Sequence, residues 1–262
     1  MRKQGNIIEV DANQEIKQLF AGWEKTMIWS CLQGCMGKLY AMEDEDLKSA
    51  RIIIGDCCFF AGQPAADLVI NMPRDDQRES VIMIPADESW ANLIESVYGE
   101  RAARRSRFSI KKEAEGFDEQ KLLAYTRQLP PDYTMQMIDR ELFWEARSES
   151  WSQDLTSQFP DYESYREHGL GAAVLYRGKL AAGASSYIYY QGGIEIQIDT
   201  EESHRRQGLA LACGSQLILE CLKRGLHPNW DAHDMRSVQL AEKLGYHMEK
   251  EYTSYDVILK ND

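Results

Sequence analysis

The chain has 262 residues, is 44% apolar, and sets 30 basic against 42 acidic residues for a net charge of -12. That length suits two domains, and thirteen Tyr with six Trp supply core material that a disordered chain lacks. The acidic balance argues against nucleic acid or an anionic membrane as the main partner, since both reward positive charge. It suits a cationic substrate such as an amine.

No apolar run of signal-peptide length follows Met1-Arg2-Lys3, and no stretch reaches membrane-spanning length, so the sequence reads as a cytoplasmic protein. Six cysteines are too sparse for a disulfide scaffold. Cys31-x-x-x-Cys35 and Cys57-Cys58 lack common zinc spacings and a nearby histidine, and read as buried thiols. No metal is expected.

In the first half, Arg51 to Phe60 and Ser80 to Ile84 predict buried strands. Asp87 to Tyr98 predicts a helix with Trp90, Leu93, Ile94 and Val97 on one face. Met42 to Asp46 reads as a solvated acidic turn, and Arg101 to Arg107 as a solvated basic edge pairing with nearby acids. Leu129-Pro130-Pro131-Asp132 is the best boundary, giving domains 1–130 and 131–262.

Past it, Tyr133 to Ile138 predicts a strand and Arg140 to Ser152 a helix. Ala172 to Tyr176, Leu180 to Tyr190 and Ile194 to Thr200 predict a meander, with a tight turn at Gln191-Gly192-Gly193. From Ile194 to Asp199 three isoleucines alternate with Glu195, Gln197 and Asp199. Leu209 to Arg224 is a largely buried helix closed by Gly225. Pro228 to Ala232 predicts a short strand. Asp234 opens a helix with Val238, Ala241 and Leu244 inward, Gly245 ends it, and Tyr246 to Leu259 supplies a last strand or hairpin. Such an order predicts a mixed α/β layer.

The informative segment is Arg205-Arg206-Gln207-Gly208-Leu209-Ala210, between an alternating strand and a buried helix. Gly208 permits close backbone approach. The following N–H groups open a helix, where they lack internal partners and the dipole is positive, a site for a pyrophosphate. Arg205 and Arg206 add charge-assisted bonds, and small Ala210 leaves room for a ligand. The bland reading is an ordinary helix start with surface arginines.

Arg205-x-x-Gly208-x-Ala210 after a strand resembles the coenzyme A signature of the GNAT acetyltransferases. Asp234 to Ser237, followed by Ala241-Glu242-Lys243-Leu244-Gly245-Tyr246, resembles that family's late helix. Trp230-Asp231-Ala232-His233 and the strand Ile194 to Thr200 look most like a two-domain bacterial branch that includes the zwittermicin A resistance protein. The resemblance implies an α/β fold: a C-terminal GNAT domain with a mixed sheet, preceded by a smaller α/β domain that shapes the acceptor pocket or is a degenerate copy of the same fold.

It also implies N-acetyl transfer from acetyl-CoA to a primary amine, probed first among small molecules such as antibiotics. The rivals are a non-catalytic acyl-CoA sensor or scaffold and a transferase for protein amines. The cofactor would be held along Ile198, Asp199 and Thr200 by main-chain groups, at Arg205, Arg206, Gln207, Gly208, Leu209 and Ala210, and at Asp234 and Ser237. A carboxylate on the strand's polar face is the usual base. Glu195 is the first candidate and Asp199 the second, while the plain alternative leaves Glu195 a solvated residue on an exposed face. Ala241 stands where many relatives carry the Tyr that protonates the leaving thiolate, so that role is vacant or falls to Tyr246, Tyr252 or His233. The oligomeric state stays open, a homodimer among the options.

Overall fold

The computed structural model describes residues 6–43, 47–73, 78–113 and 116–259. Asp44, Glu45 and Asp46 of the expected acidic turn lie outside the described residues. The chain divides into two compact units, Met1–Arg107 with Tyr252–Asp262, and Phe108–Glu251.

The first unit runs β1 (Ile7–Glu9), α1 (Gln14–Leu19), α2 (Thr26–Leu32), β2 (Lys38–Met42), β3 (Ser49–Ile54), β4 (Cys57–Gly62), α3 (Ala66–Ile70), β5 (Ser80–Ile84), α4 (Glu88–Tyr98) and the start of β6 (Ala102–Ile110). The second continues with α5 (Glu119–Thr126), β7 (Tyr133–Met137), α6 (Arg140–Ser148), α7 (Tyr162–His168), β8 (Gly171–Tyr176), β9 (Lys179–Tyr190), β10 (Gly193–Thr200), α8 (Leu209–Lys223), β11 (His227–Asn229), β12 (Asp231–Ala232), α9 (Met235–Leu244) and β13 (Met248–Ile258). The end of β13, from Tyr252 on, belongs to the first unit. Pro130 and Pro131 fall inside the second unit, between α5 and β7.

In the first unit β1 to β4 are antiparallel neighbours, β4 pairs parallel with β5, and β13 pairs antiparallel with β5. In the second, β7 to β10 form an antiparallel meander and β10 pairs parallel with β11. From β1 and from β7 a similar succession unfolds: strand, two helices, three strands and a helix, then β5 alone in the first unit but the two short strands β11 and β12 in the second, and a last helix.

The mixed α/β layer is the architecture found. Three local expectations differ. Arg51 to Phe60 is two strands, β3 and β4, joined at Gly55-Asp56 with Ile54 opposite Cys57. Its apolar run conceals a turn that only Gly55, at φ +57°, betrays. Pro228 to Ala232 splits at Trp230: β11 joins β10, whereas β12 pairs with Ser109 and Phe108 of β6. The helix begun at Arg140 stops at Ser148.

The first unit's core packs Tyr40, Phe60, Leu68, Trp90, Ile94, Tyr98 and Tyr255 together. Arg51 lies within it at 1% exposure, its guanidinium donating to the carbonyls of Leu68 and Asn71. Those are late carbonyls of α3, where a cation is favoured, so the buried charge is matched by hydrogen bonds. Arg104 and Arg105, on β6, face Glu95 at 3.7 Å and Asp256 at 3.0 Å, exposed pairs of small energetic weight. The second unit packs α8 and α9 on one face of its sheet, around Val174, Ile194, Ile196, Leu217 and Leu244. Phe143, Leu155, Phe159 and Tyr165 form a separate cluster with Ala173 and Leu175. Cys57, Cys58, Cys213 and Cys221 are buried free thiols, as is Cys31, while Cys35 is half-buried. No described helix is long and apolar enough to cross a membrane.

Candidate active site

The isoleucine alternation of β10 places Ile194 and Ile196 in the α8–α9 core, with Ile198 packed at its border. Glu195, Gln197 and Asp199 take the opposite face. That face is not wet at its start, since Glu195 is only 3% exposed. Its Oε2 accepts from Asn229 Nδ2 at 2.6 Å, and Asn229 is its register partner on β11. The solvated reading of Glu195 therefore falls.

The β10–β11 register runs Gly193↔His227, Ile194↔Pro228, Glu195↔Asn229 and goes no further. Beyond it, Ile196 to Thr200 continue beside β9 alone. At the same point the β9 register jumps from Glu195↔Ile188 to Ile196↔Ser186, skipping Tyr187. Such a bulge bends a strand and re-aims its side chains. A β10 edge thus opens directly after Glu195, with backbone groups suited to accept an added extended chain.

That edge leads into the signature loop. Arg206 has φ +64°, and Gly208, the N-cap of α8, sits in the left-handed region at φ +80° with no side-chain cap. A Cβ placed on Gly208 would meet nothing within 4 Å, so the glycine is there for its φ and leaves open space beside it. Leu209 is buried in the core and Ala210 half-buried. Arg205 and Arg206 are exposed. Arg205 Nε donates to the Thr200 carbonyl at 3.3 Å, while Thr200 Oγ1 is buried without a hydrogen-bond partner. Gln207 turns elsewhere: its Oε1 accepts from the Tyr133 hydroxyl at 3.0 Å.

Asp199 is half-buried and accepts from Gln197 Nε2 at 2.8 Å. Burial holds its carboxyl above the usual range and Asp154 adds to this, against the opposing pulls of Gln197 and Arg205. Asp234 caps α9 by accepting from the Ser237 N–H at 2.8 Å, and also accepts from Arg236 Nε at 2.9 Å. Burial acts to raise its carboxyl, but the Ser237 N–H, Arg236 and His233 together bring it below its usual value.

Ala241 is fully buried. Among the stand-ins for the absent tyrosine, Tyr246 is buried and donates to the Pro228 carbonyl at 2.8 Å. Burial, with Cys221, Glu195 and Tyr190 adding, pushes its pKa well up. Tyr252 belongs to the first unit, its hydroxyl 3.3 Å from Arg107 Nε. His233 is exposed. Sequence reading passed over Asn229, Tyr133 and Asp154, which become visible only through register or tertiary proximity.

In the first unit the matching parallel pair, β4 with β5, ends at Phe59↔Ile84. The indole of Trp90 stacks on Phe60 at 5.0 Å and donates to the Gly62 carbonyl at 2.9 Å, so the strand end is occupied. A three-residue connection joins β4 to α3, and α3 has only five residues.

Two parallel strands that part at a bulge, with the freed strand feeding a helix start that has no side-chain cap, frame the candidate site. The GNAT acetyltransferase family model matches residues 17–255, and the chain belongs to that family, whose members are acyltransferase enzymes. It is 41% identical to a GCN5-related N-acetyltransferase-like protein from Streptococcus suis 89/1591, over 93% of this chain and 97% of that one, with a TM-score of 0.88. It is 25% identical over 178 residues to the uncharacterized N-acetyltransferase YdfB of Bacillus subtilis (strain 168); the match spans 66% of this chain and 64% of that protein's length. A GCN5-related N-acetyltransferase from Kribbella flavida shares the fold at 14% identity, with a TM-score of 0.52 over 82% of this chain and 88% of that one.

Proposed function

We propose that the protein moves an acetyl group from acetyl-CoA to a primary amine of a small molecule. The observation that carries this reading is the placement of buried Glu195 at the last β10–β11 pair, at the head of a free strand edge that ends at the αL N-cap of α8. The residues fit the cosubstrate: the space beside Gly208 is open and Thr200 Oγ1 is buried with no bond.

The first-turn N–H groups of α8 would hold the pyrophosphate, with Arg205 and Arg206 beside it. Main-chain groups of Ile198, Asp199 and Thr200 would hold the pantetheine arm as an added strand. Leu209 and Ala210 keep that first turn small and seated, Gln207 fixes the loop, and Asp234 with Ser237 sets the start of α9. Acetyl-CoA supplies an activated acyl thioester. The amine nitrogen bonds to the acyl carbon, the electron pair of the broken carbon–sulfur bond leaves on sulfur, and the proton shed by nitrogen goes to Glu195. A thiolate is a tolerable leaving group, since an ordinary thiol has a pKa of about 8.5, and no side chain is assigned to protonate it.

The repeated element order supports reading the first unit as a degenerate copy of the same fold. Trp90 and the short β4–α3 connection favour a single acyl-donor site per chain. We also infer the finer placement with the two-domain bacterial branch and an amine-bearing antibiotic as a first acceptor to try, supported by Trp230 to His233 and the division into two units. Buried Ala241 favours one runner-up, an acyl-CoA-binding protein without turnover.

Isothermal titration with acetyl-CoA on the wild type and Gly208→Trp, run beside a thiol-release assay over a panel of amines, tests the reading. Binding with a stoichiometry near one, lost in the variant, together with turnover of an amine is the expected result. Binding without turnover of any amine would install the runner-up, and no binding by the wild type would end both.

A further inference from the structure

We propose that Asn229 is a positioning residue for Glu195: its side-chain amide holds the carboxylate charged and in one orientation where β10 and β11 part. This rests on the acetyltransferase reading above and on a geometric fact independent of it. Asn229 and Glu195 are adjacent on parallel strands, both are buried, at 5% and 3% exposure, and Nδ2 lies 2.6 Å from Oε2.

Parallel strands in register place the two Cβ atoms on one face, so the contact is set by backbone pairing and not by a flexible reach. A donor aimed at a carboxylate favours its ionised form, and a charge-assisted bond of this length is among the stronger ones. A base taken out of water needs such a partner, because burial alone would favour the protonated acid.

The surroundings make the pair readable. Tyr190 at the end of β9 and Tyr246 after α9 bear on Glu195, and Cys221 on α8 bears on both tyrosines. Burial pushes the Tyr190 and Tyr246 hydroxyls up and the Cys221 thiol to about 12. All three are neutral across the working range, so a moved acid limb would not be theirs.

The experiment compares wild type, Asn229→Ala, Asn229→Ser and Asn229→Asp. It reads the pH profile of kcat/KM, the acetyl-CoA affinity, and the titration of the Glu195 carboxyl by carbon-13 NMR, assigned by its loss in Glu195→Gln. The acid limb and the NMR midpoint should both rise by about one pH unit in Asn229→Ala. They should rise less in Asn229→Ser, which keeps a donor, and most in Asn229→Asp, where two carboxylates meet. Acetyl-CoA affinity should stay within about twofold throughout. A residue that only packs would lower the melting temperature and leave limb and midpoint in place, which overturns the proposal even if Asn229→Asp fails to fold. If the wild type turns over an amine and Glu195→Gln does not, an unmoved limb removes the role of Asn229 and leaves the transferase standing. If the wild type neither binds acetyl-CoA nor turns over, the transferase reading fails, and the positioning role with it.

Discussion

The Tyr133 hydroxyl, on β7, donates to Gln207 Oε1 across 74 residues of sequence, at 3.0 Å. The Tyr133 hydroxyl oxygen also sits 2.8 Å from His204 Nδ1, and His204 Nε2 lies 3.4 Å from Glu201. A chain of polar contacts thus ties the signature loop, at Gln207, and the turn just before it to β7. Tyr133→Phe should leave the fold intact, because the ring keeps its contact with Tyr176 at 5.0 Å between centroids. Acetyl-CoA binding should weaken about three- to tenfold as the loop loses one net hydrogen bond. Titration calorimetry on the two proteins checks this, and equal affinities would show the clamp to be idle.

Asp199 offers a pH test. Its folded-state carboxyl is raised, chiefly by burial, so the folded protein holds this proton more tightly than the unfolded chain. The resulting stabilisation is fully present below the unfolded value, about 3.9, and is lost as pH rises through the folded value. Asp199→Asn should match the wild type in melting temperature near pH 4 and exceed it at pH 7. Its turnover should stay within a few fold of wild type if Glu195 is the base, whereas Glu195→Gln should lose about 10²–10⁴-fold. The opposite ranking would make Asp199 the base.

Arg206 holds φ at +64°, a region that costs a non-glycine residue roughly 1–2 kcal/mol. Arg206→Gly should therefore keep or raise thermal stability while acetyl-CoA binding falls about three- to tenfold through the lost charge. A drop in melting temperature with unchanged affinity would mean that Arg206 serves the loop and not the ligand.

Gly62 and Gly34 separate two costs of replacing a glycine. Gly34 has φ +72° and open space around it, whereas Gly62 has φ +80° and a Cβ there would lie 2.0 Å from the Lys48 carbonyl oxygen. Gly34→Ala should cost about 1 kcal/mol, the backbone term alone. Gly62→Ala should cost clearly more, because Lys48 O is backbone and cannot swing aside, and it also displaces the carbonyl that Trp90 binds. Urea melts of both variants decide it.

The sequence carries the fold of the second unit far into its elements because the signals there are local. The alternation of Ile194 to Asp199, the αL demand at Gly208 and the Asp234 cap are each legible within a few residues. What connects Glu195 to Asn229 is not local: 34 residues separate them, and only parallel register unites them. The same limit explains the hairpin hidden in Arg51 to Phe60, where every residue from Ile52 to Phe60 except Gly55 and Asp56 is apolar and no polar residue marks the bend before Asp56. Helix α7 is seven residues long, too short for a periodic stripe, and its start depends on Asp161 accepting from the Ser164 N–H at 2.8 Å. The polar face of β10 misled in its own way, since alternation reports which residues share a side and says nothing of whether that side meets water.

The strand β13 belongs to the first unit from Tyr252 onward, pairing Tyr255 to Ile258 with Ser80 to Met83 of β5. On the ribosome, this neighbour of β5 emerges only after every residue of the second unit has been made. Until then Val81 and Met83 lack the strand that flanks them, and the first unit waits with an open seam, exposed to chaperones and proteases for the time it takes to translate well over a hundred codons. Completion of the first unit thus waits on residues that follow the second: a slow codon or a nick just before Tyr252 would harm a unit whose other residues were made earlier.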